Sequence, residues 1–340
     1  MKGLFTTAVS VLGLALSSSA LPTATNTTTC GTGTETETTC GRECMTRIVN
    51  VILKSMVAGN WESLPLAKVY TATENLHPAA ISMMTLWRTV TKAGTPSLLA
   101  IDTTAGSAYF SLAITEGNEN AQAVLNARIK VVNKEITELE LFINRSRGDH
   151  GFSLSPEDLA DNYKPWISPP TNRTKASREI LEALSAATFD TSTGFNVTVA
   201  DSCQFLEEGW AVVDPGPDED GSYEPLTCSF PSSRPTDSNA RLNLVIDEEL
   251  GIVVTGAVVP GKVYPYGELS AFIPDQMVEA QAAQEEWLEG KLVEGTIPLV
   301  EPLASTGEVL EVLQYYDGKL QAEAINVYLS GPGMSSVWVH

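Results

Sequence analysis

The sequence predicts an α+β protein built from two copies of one unit, each a helix followed by a run of antiparallel strands. Two observations carry this. The stretch Ala100-Ile101-Asp102, with Gly106 after the turn, returns as Val245-Ile246-Asp247 with Gly251, an offset of 145 positions. Each copy reads as two apolar runs joined by an acidic, glycine-bearing turn, which is a hairpin signature. A second hairpin, Val131-Val132-Asn133-Lys134-Glu135-Ile136, returns as Tyr315-Tyr316-Asp317-Gly318-Lys319-Leu320, an offset of 184 from Asn133 to Asp317. The difference of 39 residues is an insertion in the second copy, expected at about residues 262–300.

Taken in order, Met1 to Ala20 reads as a signal peptide. Lys2 gives the positive start, Leu4 to Leu16 the apolar core, and Ser18-Ser19-Ala20 a small-residue cleavage site. Leu21 to Thr39 is Thr-rich and offers little to pack, so a disordered stalk is expected there, with order beginning near Cys40. Cys44 to Val57 carries Met45, Ile48, Val49, Ile52 and Met56 at helical spacing, with Gly59 just past the end. Pro65 interrupts Trp61 to Tyr70. Strands are expected at Leu98–Ile101, Ala108–Ile114, Ala123–Val132 and Ile136–Asn144, completing a first domain over residues 41–147. Residues 148–174, with Pro156, Pro165, Pro169 and Pro170, read as a linker without sustained period.

The second domain, residues 175–335, opens on a helix from Lys175 to Asp190. Phe195–Ala200 and Phe205–Val213 are strand candidates, and Asp214 to Tyr223 is a loop of Pro, Gly and Asp. Its Asp218-Glu219-Asp220 run lacks the spacing of a calcium-binding loop. Arg241 to Val259 gives the second hairpin, Pro274 to Glu294 an acidic helix within the insertion, and Val309–Tyr316 with Leu320–Leu329 the closing strands. Two strands here alternate poorly, which leaves their register open.

The chain has 340 residues, 43% of them apolar, and a formal net charge of −21. That is enough apolar material for packed cores. The acidity excludes a nucleic-acid footprint and disfavours an anionic membrane surface. Four sequons, at Asn26, Asn144, Asn172 and Asn196, suit a secreted glycoprotein. Of five cysteines, Cys203 and Cys228 are expected to pair. Among the others, Cys30 with Cys40 or with Cys44 are the alternatives, and one thiol is left over. The Cys and His spacing is not that of a metal site, and no cofactor or metal is expected.

Several stretches resemble a known family. They are Trp61-Glu62-Ser63-Leu64-Pro65-Leu66-Ala67, Leu86-Trp87-Arg88-Thr89, Ala127-Arg128-Ile129-Lys130-Val131-Val132, Lys134-Glu135-Ile136-Thr137-Glu138, Asp201-Ser202-Cys203, Leu206-Glu207-Glu208-Gly209 and Val245-Ile246-Asp247-Glu248-Glu249-Leu250-Gly251. Together they resemble secreted fungal proteins built from tandem nuclear-transport-factor-2-like (SnoaL-like) domains, over roughly Cys44 to Leu329. The chain departs from that family at Arg88, where Gly is frequent, and over Cys203 to Gly209. The resemblance implies two cones, each a curved antiparallel sheet wrapped on helices around an apolar cavity. It further implies a cofactor-independent hetero-Diels–Alderase that couples a tropolone quinone methide to a humulene-type sesquiterpene.

Such a reaction needs two small apolar partners held at reacting distance, aromatic walls, and a hydrogen-bond donor at the quinone oxygen. Candidate catalytic residues are Arg88, Tyr70 and His77, and candidate wall residues are Trp87, Tyr109, Phe110, Trp210 and Tyr264. Each has a plainer role to set beside it: core for Trp87, a surface ion pair for Arg88, a solvated side chain for His77. Tyr109 and Phe110 adjoin in one strand and must face opposite sides. The carboxylate pairs Glu207-Glu208 and Glu248-Glu249 read as solvated turns. An isomerase, cyclase or dehydratase is the alternative on the same fold, requiring an acid–base pair such as His77 with a carboxylate. A secreted binding protein is the third reading. The oligomeric state is left open, a homodimer being one option because exposed sheet faces in this fold class commonly pair.

Overall fold

The structure, a computed structural model, describes residues 40–145, 154–212, 228, 237, 239–266, 269–295 and 301–338. The expected signal peptide, the Thr-rich stalk with Asn26 and Cys30, and the acidic loop after Asp214 lie outside the described residues.

Helix α1 (Arg42–Ala58) buries the predicted stripe of Met45, Ile48, Val49, Ile52 and Met56. It stops at Gly59, whose φ of 60° and N–H bond to the Met56 carbonyl form a left-handed cap. A disulfide joins Cys40 to Cys44, at the helix start, which is neither of the two Cys30 pairings that the sequence left open. A four-residue separation across one helical turn brings the two Cα atoms to 5.2 Å, within ordinary bridging distance.

After α1 come β1 (Leu66–Glu74), β2 (His77–Pro78), the short helix α2 (Leu86–Thr89), β3 (Val90–Ala93), β4 (Leu98–Asp102), β5 (Ser107–Glu116), β6 (Ala121–Val132) and β7 (Glu135–Asn144). They form one curled sheet in the order β2-β1-β7-β6-β5-β3, with β4 also on β5. Only β1–β7 is parallel. Helices α3 (Leu159–Ile167) and α4 (Arg178–Phe189) follow, then β8 (Val199–Glu207), β9 (Trp210–Ala211), β10 (Arg241–Asp247), β11 (Ile252–Tyr266), β12 (Leu269–Pro274), α5 (Val278–Glu294), β13 (Leu303–Tyr316) and β14 (Lys319–Ser330). The second sheet runs β9-β8-β14-β13-β11-β10, with β12 on β11 and β8–β14 as its parallel pair. The orders correspond from β2-β1-β7-β6-β5 to β9-β8-β14-β13-β11, and β4 and β10 hold equivalent places on β5 and β11; β12 with α5 lies within the expected insertion.

The repeat extends to single atoms. Gly106, at φ +66°, lies where a Cβ would come within 2.6 Å of the Val131 carbonyl oxygen. Gly251, at φ +70°, stands in the same relation to Tyr315, at 2.5 Å. Both turns need glycine for conformation and for space. Arg42 and Arg178, the first residues of α1 and α4, pair with Asp247 and Asp102 of the opposite unit at 2.6 and 2.9 Å.

Each sheet has a concave and an outer face, set by side-chain alternation. The concave face of the first sheet, with Phe110, Leu112, Leu125, Ile129, Leu139 and Leu141, packs on α1. That of the second, with Val253, Leu313 and Leu320, packs on Leu181 and Leu184 of α4. The outer faces meet each other: Ala100, Tyr109, Val124 and Phe142 pack with Val254, Leu310, Val312 and Ala324. The two outer faces are thus buried against each other within one chain. This also explains the poor alternation of β11 and β13, which are covered on both sides and gain apolar residues at successive positions.

The linker differs most from expectation. It carries α3, whose Leu159, Tyr163 and Trp166 are buried among the outer-face residues of both sheets. Its period escaped notice because the helix makes few turns and holds Pro165 inside. In the second unit, the candidate strands 195–200 and 205–213 resolve into β8, a turn at Glu208-Gly209, and the two-residue β9. The described residues all lie in one compact unit, Glu37–His340.

Candidate functional site

The sequence-predicted residues scatter over the fold. Trp87 and Phe110 are buried in the first core, where the Trp87 indole N–H donates to Ser55 Oγ at 2.7 Å. Tyr70 is half-buried at the edge of that core. Arg88 on α2 and His77 on β2 are exposed. Tyr109 faces away from Phe110, as alternation requires, and lies between the sheets. Trp210 is half-buried on β9. Tyr264 is buried on β11 and donates to Glu285 Oε1 of α5 at 3.2 Å. Among the described residues, no acid–base pair forms around His77 within a cup. The first cup is filled by its own side chains, from Met45 and Ile52 on α1 to Phe110 and Leu139 on the sheet.

The second cup differs, and the repeat shows how. The offset of 145 carries Phe110 to Thr255. The offset of 184 carries Ala127 to Glu311 and Leu139 to Glu323. The offset between Arg42 and Arg178, 136, carries Val49 to Ser185 and Ile52 to Thr188. The strand pairing supports these equivalences: Phe110 opposes Ala127 and Ile129 opposes Leu139, while Thr255 opposes Glu311 and Leu313 opposes Glu323. Five apolar positions of the first cup are therefore polar in the second.

All five polar side chains are buried. Ser185 and Thr255 share a hydrogen bond of 2.8 Å between helix and sheet, and the Asn243 N–H donates to Ser185 Oγ at 3.0 Å. Glu311 and Glu323 are diagonal neighbours on β13 and β14, on the face that Leu313 shares with the core of this unit. Diagonal cross-strand Cα atoms lie roughly 7–8 Å apart, so the two carboxyl-bearing side chains are close neighbours on one face. Burying polar groups costs free energy unless they are hydrogen-bonded, so this polar lining is a feature that packing alone does not require. A single pass along the sequence does not reveal these residues. Carrying the two hairpin offsets through the strands does.

A second buried polar group joins the sheets. Tyr109 donates to Asn126 Oδ1 at 2.9 Å and accepts from Asn326 Nδ2 at 3.1 Å. Asn126 Nδ2 and the Val327 N–H donate to the Glu208 carboxylate at 3.1 and 2.6 Å. Burial pushes the Glu208 carboxyl up to about 8, against the opposing pull of these donors and of Asn144. Glu208 is thus no solvated turn residue: it sits at φ 46° in the β8–β9 turn and points between the sheets. Glu248 and Glu249 are exposed, as expected.

The expected Cys203–Cys228 disulfide is present. Of the sequons, Asn172 and Asn196 are exposed, whereas Asn144 uses its amide nitrogen to bond the Val327 carbonyl at 3.2 Å. Among the described residues, no three His, Cys, Asp or Glu side chains converge as a metal site, and no helix is long and apolar enough to cross a membrane. No model of a known protein family matches the chain, and no curated protein matches it.

Proposed function

We propose that the chain is a cofactor-independent enzyme of natural-product chemistry, with its reaction carried out in the second cup. The reaction is a hetero-Diels–Alder coupling of a tropolone quinone methide to a humulene-type sesquiterpene. The sequence resemblance supplies the reaction class and the tandem nuclear-transport-factor-2-like fold. The observation that supports the placement is the polar lining of the second cup, Ser185, Thr188, Thr255, Glu311 and Glu323, opposite an apolar, self-filled first cup. As the quinone methide is attacked, its oxygen gathers negative charge, and a carboxyl hydrogen bond in a dry site lowers that barrier. Holding both partners together removes much of the rest. Two disulfides fit assembly in the oxidising secretory pathway.

The same carboxyls favour a second reading, an isomerase, cyclase or dehydratase, in which the proton is transferred. Glutamine separates the two, because its amide donates a hydrogen bond but cannot transfer a proton. The protein is incubated with a quinone-methide precursor and humulenol, and products are read by mass spectrometry and chiral chromatography. One stereoisomer formed faster than in buffer, with Glu311→Gln and Glu323→Gln retaining part of the rate, supports cycloaddition. Loss of turnover in either variant supports proton transfer. A racemic product at the buffer rate removes the cycloaddition reading for these partners.

A further inference from the structure

At the seam between the sheets, on the side away from α3, lies a cleft of about 400 Å³. Its lining includes Arg128, Lys130, Glu138, Arg241, Asn243 and Trp338. We infer that this cleft is a binding site for a small organic monoanion, a carboxylate carried on a flat unsaturated body.

Charge is the first support. Arg128 pairs with Glu138 and Glu140 at 2.7 Å each, and Arg241 pairs with Glu140 at 2.5 Å. Burial raises the Glu140 carboxyl, but Arg241 and Arg128 outweigh it and hold the group below its ordinary value. Glu308, also buried, lies 3.9 Å from Arg241, and burial together with the Glu140 charge pushes its carboxyl up to about 10. Arg128, Arg241 and Lys130 thus gather in one cleft of a chain whose formal charge is −21, and among the ion pairs of the described residues none gives Lys130 a carboxylate. Such a contrast concentrates anions locally.

Symmetry is the second support. The offset of 184 carries Arg128, Lys130, Glu138 and Glu140 to Val312, Gln314, Ala322 and Ala324. Those four lie at the opposite end of the seam, where α3 covers them, and Gln314 Nε2 donates to the Trp166 carbonyl at 2.9 Å. The seam therefore closes with apolar residues and one amide. Burying ion pairs there is a cost that packing does not require. Where α3 lies at one end, the other end has open volume and titratable groups shifted from their ordinary values, a combination that marks functional sites.

Trp338 is the third support. It is 4% exposed, and its ring lies 5.0 Å from the Arg128 guanidinium and 5.7 Å from that of Arg241. It supplies an aromatic element of the cleft lining, and because the guanidinium edges already hold Glu138 and Glu140, the cation left for a ligand carboxylate is Lys130. Lys130 is the more accessible cation at the mouth.

The full chain is titrated calorimetrically with sodium benzoate at constant ionic strength, with sodium chloride as the reference. Saturable one-to-one binding of benzoate is expected, weakened at least tenfold in Lys130→Met, whose side chain lies at the partly open mouth, so that the thermal transition is retained. The inference is overturned if benzoate gives no more heat than chloride, or if Lys130→Met binds it as tightly as the unaltered chain. The readout needs no turnover, so it stands or falls apart from the proposed reaction.

Discussion

Asp102 and Asp247 exchange equivalent hydrogen bonds across the seam. Asp102 Oδ2 accepts from the Ile246 N–H at 3.1 Å, and Asp247 Oδ2 accepts from the Ile101 N–H at 2.8 Å. The other oxygen of each caps its own turn, through Thr104 and Ala105 in one unit and Glu249 and Leu250 in the other. With Arg178 and Arg42 reaching across to them, each carboxylate ties a hairpin, its turn and the helix of the opposite unit at one point.

Removing either carboxylate strands buried donors on both units. Asp102→Ala and Asp247→Ala should each lower unfolding stability by about 3 kcal/mol or more, read by chemical denaturation. Near-equal losses at the two sites would follow from their equivalence. Loss below about 0.5 kcal/mol at either would show that the exchange is incidental. Burial raises the Asp102 carboxyl, but Arg178 and the N–H groups of Ala105 and Ile246 hold it below its ordinary value. Its contribution is therefore present at neutral pH and lost in acid, as pH falls through the lowered value.

Glu208 acts in the opposite direction. Its carboxyl is raised from 4.5 to about 8 in the folded state, which then binds the proton more tightly than the unfolded chain. Stability should fall as pH rises from about 4.5 towards 8, and level off above. Glu208→Gln, uncharged and similar in shape, should flatten that slope in denaturation measured across the range. An unchanged slope would place the titration elsewhere.

The two cups should separate stability from turnover. Leu139→Ala in the first cup deletes a packed side chain and should cost about 2–5 kcal/mol. Turnover per folded molecule should stay within twofold, because that cup holds no reacting group. A large fall in turnover with the fold intact would move the chemistry to the first cup.

Glycosylation should be selective. When the chain passes through a secretory pathway, Thr174→Ala and Thr198→Ala should each remove one glycan mass, because Asn172 and Asn196 are exposed. Ser146→Ala should leave the mass unchanged, because the Asn144 amide is engaged with Val327. Intact mass spectrometry reads all three.

Much of this architecture was legible in the sequence, because the features that announce it are local. The Asp102 and Asp247 turns, with glycines forced by positive φ, and the stripe of α1 each need only a short window. What escaped depended on distant partners. Helix α3 is too short to show a period and is held by both sheets at once. Glu208 reads as a surface turn until β6 and β14 are brought to it. Trp87 and Phe110 were legible as large aromatics, but only packing decides between a wall and a filling. Glu311 and Glu323 become conspicuous only when compared with Ala127 and Leu139, the positions from which their alternation was inherited.

The buried tether has a mechanical consequence. Tandem units joined by an exposed strap can swing, and ligands can be captured as they close. Here Tyr163 and Trp166 wedge the strap into the seam, and Gln204 and Gln314 fasten the wedge by hydrogen bonds to Trp166. The strap is thereby packed and hydrogen-bonded between the two sheets rather than exposed. If the proposed reaction holds, entry to a cup is then expected at its rim, where short edge elements such as β9 lie, rather than between jaws formed by the two units.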